Sequence, residues 1–244
     1  MPIQYITAVV MLSIVIPTYN EEEHIGGLLE SLKPQLAEGD EIIVVDSRSH
    51  DRTAEIARRH GARVIEEPKR GNGLARTAGA RAARNGIVVF VDADCVPSGG
   101  FLARIRRHFA SQETVAVGGL DLYHSESGLN RLVYDTFSRS VFFSAMLTHA
   151  LTGRYWLASN NSAYRKDVFL SAGGYRSVIC EDTDLTRRLP PSKHVVYDAH
   201  LVLSLSDRRF KKDGFLSTIS LWGRSNIAAW TGRGADSSAY KTSY

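Results

Sequence analysis

A single α/β domain is predicted, with a mostly parallel central sheet flanked by helices and an amphipathic helical segment at the C-terminus. Three features of the sequence carry this. Short apolar, β-branched runs alternate with single helix-length segments, each run ends in polar residues, and no repeat or linker divides the chain. The 244 residues are 43% hydrophobic and 23% charged, enough for one large core.

Taken in order, "LSIVIP" reads as the first strand. Ile25, Leu28, Leu29 and Leu32 then form one stripe of a helix that Pro34 or Gly39 ends. "EIIVVD" is the second strand; Ser49 or Asp51 caps a helix through Arg59 that stops at Gly61, and "RVIEE" is the third strand. Gly71 and Gly73 precede a helix to about Asn85 with Gly86 just beyond it, and "IVVFVD" is the fourth strand. Leu129, Leu132, Val133 and Phe137 share a helical face, and the uncharged run from Ser140 to Gly153 lies between Arg139 and Arg154. Its 14 residues reach about 21 Å as a helix, short of the ~30 Å hydrocarbon core, so it is either a buried helix or one lying in a membrane interface.

The first 20 residues carry no charged side chain, but without a basic leading segment and with Pro17 and Glu21 to Glu23 following, a buried strand is expected there, not a signal peptide. Cys95 and Cys180 are too few for a disulfide framework and lack zinc spacing, which suits a reducing, cytoplasmic setting. From Asp207 to Tyr244 seven basic residues face three acidic ones, so the net charge of +4 belongs to this segment. Such a surplus attracts phosphate, whether of a ligand or a lipid surface. Nucleic acid is not expected as a partner, because the aromatics do not interleave with basic residues as stacking platforms do.

The chemistry concentrates at strand ends, where open α/β sheets bind ligands. Asp92 and Asp94 close a strand that reads as buried on both faces, and two carboxylates there need a cation; hard oxygen donors at this spacing suit a divalent ion.

The blocks "IVIPTYNEEEHI", "IIVVDSRSHDRT", "GLARTAGARAA", "VVFVDADCVP", "GGYR" and "EDTDLTRRL", in this order, resemble the family 2 glycosyltransferases of GT-A (Rossmann-like) fold over about residues 12 to 210. The resemblance implies that Pro17, Tyr19, Glu21 and Asp46 hold a nucleotide base, a carboxylate suiting the N–H groups of uracil and guanine equally. Where the family commonly has Asp-Asp-Gly-Ser this chain has "DSRS", so Arg48 replaces a glycine at the nucleotide rim. Lys69, Arg70 and Arg76 are implied phosphate or base-edge contacts, Arg76 foremost. Asp92 is implied near the ribose and the metal, and Asp94 as the direct ligand of Mn²⁺ or Mg²⁺. Asp182 matches the catalytic base of inverting transfer, with Glu181 beside it; Gly173 and Gly174 let backbone approach the donor sugar, or end a helix. Arg208 and Arg209 in "DRRF" close over the diphosphate. Neither a metal-binding His nor Gln-x-x-Arg-Trp stands in the C-terminal part, and His200 reads as a strand residue.

The resemblance thus implies an inverting, metal-dependent hexosyltransferase using a GDP- or UDP-linked sugar. Residues 1–210 are the expected transferase domain and 211–244 a basic amphipathic segment. With the run 140–153, "GFLSTISLWGRSNIAAW" suggests peripheral attachment to the cytoplasmic membrane face, and a polyprenyl phosphate or glycolipid acceptor. The alternatives are a sugar-1-phosphate nucleotidyltransferase, or transfer to a soluble acceptor.

Overall fold

The computed structural model describes residues 10–231. Part of the uncharged N-terminal stretch, residues 1–9, and Arg233, Asp236 and Lys241 of the basic segment lie outside them.

The first four strands are β1 (Leu12–Thr18), β2 (Glu41–Asp46), β3 (Arg63–Glu66) and β4 (Ile87–Val91), joined by α1 (Ile25–Leu32), α2 (Thr53–Arg59) and α3 (Asn72–Ala82). They pair in parallel as expected. The second half adds β5 (Cys95–Pro97), α4 (Phe101–Phe109), β6 (Ala116–His124), α5 (Gly128–Thr152), β7 (Asn161–Arg165), α6 (Lys166–Ser171), α7 (Glu181–Arg188), β8 (Val195–Ser206), α8 (Arg208–Asp213) and α9 (Phe215–Trp230). The sheet runs β3-β2-β1-β4-β7-β6-β8-β5. Among the described residues four pairings are parallel, and three, those of β7 with β4 and β6 and of β5 with β8, are antiparallel.

Alternation along β1 explains why its run is continuously apolar. Leu12, Ile14 and Ile16 pack with Ile25, Leu28, Leu29 and Leu32 of α1 and with Phe101, Leu102, Ile105 and Phe109 of α4. Val15 joins the opposite face, with Ala75 and Ala80 of α3, Phe169 of α6 and Leu185 of α7. A strand covered on both sides has no polar face.

Several boundaries differ from the sequence reading. Asp51, not Ser49, serves α2: its carboxylate accepts from the Thr53 amide at 2.9 Å, while Ser49 turns its hydroxyl to Asp46 at 2.5 Å. α3 stops at Ala82, so Gly86 does not follow its end; Ala83 is extended and the Asn85 amide donates to the carbonyls of Leu12 and Gly39 at 2.9 and 3.0 Å. The segments at 129–137 and 140–153 form one helix, α5, and it is not a buried one. Leu129, Leu132, Val133, Phe143, Met146, Leu147 and Leu151 are exposed along one stripe, while Tyr134 and Phe142 face inward. No helix of the described residues is long and apolar enough to cross a membrane. The expected domain boundary at 210 falls inside α8, and α9 packs on α7, where Thr183 bonds Asn226 and the Arg187 guanidinium donates to the Ala229 carbonyl at 2.9 Å.

Gly79 sets how closely α3 approaches the sheet. A Cβ there would overlap Val15 and come within 2.9 Å of Val45 Cγ2, both buried and without room to move. Gly79→Val is therefore expected to destabilise by about 2–3 kcal/mol, overpacking outweighing the few tenths gained in helix propensity. Calorimetry should find the Tm lower by roughly 4–10 °C; an unchanged Tm would mean that the helix does not sit this close.

Candidate active site

The register of the parallel strands brings Thr18, Asp46 and Glu66 into line at one edge of the sheet, with Asp92 just past the end of β4. The loops after β1 and β2 are laced together there. Asn20 N–H donates to Ser49 Oγ at 2.9 Å, His50 N–H to Asn20 Oδ1 at 2.9 Å, and Glu21 N–H to Thr53 Oγ1 at 2.7 Å. Asp46 is buried and accepts from the Ser49 amide and hydroxyl at 3.1 and 2.5 Å. Arg48, in the glycine position, adopts φ +61° and donates to Glu66 at 2.8 Å across exposed surface. Left-handed backbone at a non-glycine residue costs about 1–2 kcal/mol, which this exposed pair offsets only in part.

Pro17, Tyr19, Glu21, Asn72, Asp92, Asp94 and Arg208 line a small open cleft. Arg208 reaches in from the start of α8. Its guanidinium donates to both Glu21 oxygens, at 3.2 and 2.7 Å, and its Nε lies 3.1 Å from Asp94 Oδ2. Burial raises the pKa of Asp94, with Asp92 adding to it and Arg208 opposing; burial likewise raises Glu21, against Arg208. Burial thus outweighs Arg208 at both carboxylates, and their oxygens are the hard donors a divalent cation takes. The residues fit such an ion, although no group of three or more His, Cys, Asp or Glu among the described residues is arranged to hold one unaided.

Behind the cleft lies Arg76, only 1% exposed. It donates through Nη1 to Glu181 Oε1 at 2.7 Å and through Nη2 to Asp92. Arg76, for which a phosphate or base-edge contact is expected, braces two carboxylates from different halves of the chain, its place on α3 facing the interior. Glu181 also accepts from Ser159 Oγ at 3.2 Å. Asp182, next along α7, accepts from the Thr183 amide at 2.8 Å. Burial first, then the neighbouring Glu181, push Asp182 up to about 7; the Thr183 amide and Arg76 pull the other way. A carboxylate of that pKa can hold a proton at neutral pH and release it.

The other expected residues divide. Arg70 stacks on Tyr19, its guanidinium carbon 4.1 Å from the ring centroid, and donates to the phenol oxygen; Lys69 is exposed beside it. Gly173 and Gly174 have φ of +84° and +66° and form the left-handed exit from α6, bonding back to Leu170 and Phe169 at 2.9 and 3.0 Å. That helix end accounts for their conformation. Arg209 follows Arg208, its charge acting on Cys180 and Tyr123; His200 lies in β8.

Sequence reasoning missed Asn72, which lines the cleft, and Asp121 on β6. The Asp121 oxygens accept from Asn160 and Asn161 at 3.0 and 2.8 Å, and burial raises its pKa to about 6. The available signal was a lone acid inside the strand-like run "AVGGLDLY".

Comparison with known proteins agrees with this fold. AglE, a glycosyltransferase of Haloferax volcanii, is 26% identical over 208 residues, covering 81% of this chain and 67% of its own length. A dolichyl-phosphate hexose transferase of the same organism is 43% identical over 83 residues, covering 34% and 36%. By fold, the chain is similar to glucosyl-3-phosphoglycerate synthase of Mycobacterium tuberculosis, solved with Mn²⁺, UDP-glucose and phosphoglyceric acid (TM-score 0.62, 22% identity, 91% of this chain and 79% of that one). It is similar also to a mannosyltransferase of Pyrobaculum calidifontis, solved with GDP-Man and Mn²⁺ (TM-score 0.60, 22% identity, 79% and 56%). The model of the family described as glycosyl transferase family 2 matches residues 13–171, well over half the chain, and the protein belongs to that family.

Proposed function

We propose that this protein is an inverting, metal-dependent hexosyltransferase that moves mannose or glucose from a GDP- or UDP-linked donor to a hydroxyl or phosphate of a lipid-linked acceptor. The observation that carries the reading is the Arg76 brace, which joins Asp92, at the donor end of β4, to Glu181, the neighbour of Asp182. Pro17, Tyr19, Glu21 and Asp46 are assigned to the nucleotide, with Lys69 at the open rim. Arg208 and Arg209 are assigned to the diphosphate.

In the transfer, the acceptor oxygen attacks the anomeric carbon as the bond from that carbon to the β-phosphate oxygen breaks. The electron pair leaves with the nucleoside diphosphate, and the acceptor proton goes to Asp182. Asp92 and Asp94 would hold Mn²⁺ or Mg²⁺, which stabilises the charge gathering on the diphosphate. Arg208, now shared between Glu21 and Asp94, is positioned to turn toward that same charge.

The family assignment weighs against the nucleotidyltransferase alternative. The lipid part rests on the exposed stripe of α5 and on Leu216, Ile227 and Trp230, which share one face of α9. Amphipathic helices of this kind lie at an interface, here the cytoplasmic face of the membrane. A soluble acceptor remains the second reading, supported by the phosphoglyceric acid bound to the synthase of similar fold.

Three outcomes test this. Release of nucleoside diphosphate from UDP-glucose or GDP-mannose should require Mn²⁺ or Mg²⁺, and Asp94→Ala should lose about 10²–10³-fold in kcat; full turnover of this variant in chelator would refute the metal assignment. Asp182→Asn should lose about 10²–10⁴-fold. In the wild type kcat/KM should climb with pH through about 7, since only the deprotonated carboxylate accepts a proton. A folded-state pKa above the unfolded value lowers stability as pH rises toward 7, so the Asn variant should gain Tm over wild type above pH 7 and not below pH 4. A flat profile, or no stability difference, contradicts the role. Finally, sedimentation with anionic vesicles should carry down the wild type, and Leu147→Glu with Leu151→Glu should weaken this at least about tenfold; equal binding of the two would remove the membrane from the reading.

A further inference from the structure

Under α5 lies a second, shallow cleft, open on one side. Val141, Phe142 and Ala145 of α5 wall it with Trp156, Leu157 and Tyr197. Asp121 is the one charged side chain in its lining. The clefts are connected electrically and structurally. Asp92 adds its charge to Asp121. On the other side, Trp156 Nε1 donates to Thr183 Oγ1 at 3.2 Å, and Ser159, next to the lining residue Ala158, donates to Glu181 at 3.2 Å. The cavity thus adjoins the start of the helix that carries Asp182.

The polar end of this cleft is built. Asn160 and Asn161 each give one amide hydrogen to Asp121, leaving each carboxylate oxygen a further lone pair. A group with hydroxyl donors would suit these acceptors. A phosphate would not, because it would bring two negative charges to a wall whose only charge is a carboxylate, with no Lys or Arg in the lining.

We infer that this cleft is the acceptor subsite, and that it takes a neutral, hydroxyl-bearing head with an apolar segment, as in a glycolipid, and not a phosphate monoester. Asp121 accepts a hydrogen bond from an acceptor hydroxyl other than the attacking one, and α5 covers the adjoining apolar segment. The inference rests on the transferase reading and narrows its acceptor.

The test uses binding alone, so a failed transfer assay and an empty cleft remain separate results. Isothermal titration of the full chain is made with octyl β-D-glucoside below its micelle threshold and with farnesyl phosphate. The glucoside should bind saturably and the phosphate at least about tenfold more weakly. Asp121→Asn, which keeps the shape and removes the charge, should narrow that ratio to about threefold or less by weakening the glucoside and strengthening the phosphate. Ala145→Leu, which fills the cleft from a helical position where leucine costs little propensity, should weaken the glucoside about tenfold. Thermal unfolding verifies that both variants are folded. Equal or tighter binding of the phosphate to the wild type, absence of saturable glucoside binding, or an unchanged glucoside affinity in Ala145→Leu overturns the assignment.

Discussion

The buried guanidinium of Arg76 is the contact on which the rest of the molecule depends. A full charge at 1% exposure would on its own be driven toward the neutral form, but the carboxylates of Asp92 and Glu181 outweigh burial and hold it protonated. It can reach both because α3 carries small residues, Gly73, Ala75, Gly79 and Ala80, where it meets the sheet and the segment around Tyr175 and Arg176. Removing one partner from such a pair typically costs about 3–5 kcal/mol, since the other charge is left buried and unpaired. One side chain therefore fixes the distance between the end of β4 and the start of α7, two elements about 90 residues apart in the chain.

Around that brace the electrostatics are unbalanced in a consistent direction. Glu21, Asp92, Asp94, Asp121, Glu181 and Asp182 gather near the strand ends, with Arg76 and Arg208 as the cations bonded among them. Those carboxylates whose pKa values depart from the ordinary range all move upward: Glu21 and Asp94, Asp121 to about 6, and Asp182 to about 7. A site so rich in carboxylate oxygen favours a divalent ion beside Asp92 and Asp94. It also keeps Asp182 basic enough to take a proton near neutral pH. Both consequences have the same causes, burial first and the neighbouring acids second.

The local signals of the first half translated directly into structure. Continuous apolar runs became β1, β2 and β4, the stripe Ile25, Leu28, Leu29 and Leu32 became the buried side of α1, and the Asp-x-Asp pair stands where its strand ends. What stayed hidden was decided by pairing between distant segments. Antiparallel β7 between β4 and β6, and parallel β8 beside β6, have no signature in local periodicity, so Asp121 could not be connected with Asp92. Arg76 shows the same limit at a single residue. A helical period assigns it a face of α3, but that this face looks inward follows only from the contacts with Asp92 and Glu181.

The helix α5 unites what the sequence left as alternatives, burial or an interface. Its inner side packs Tyr134 against Phe210 of α8, ring centroids 4.5 Å apart, and against Phe215 of α9 at 5.1 Å, and it walls the second cleft through Phe142. Its outer side is the exposed stripe. Phe210 is buried in that aromatic cluster two residues after Arg208, so the seating of α5 also sets where the guanidinium over Glu21 and Asp94 begins. One helix thereby contacts the surface, the second cleft and the arm that reaches Glu21 and Asp94. The two sides of the helix are separate: the exposed stripe faces away from the residues that wall the cleft.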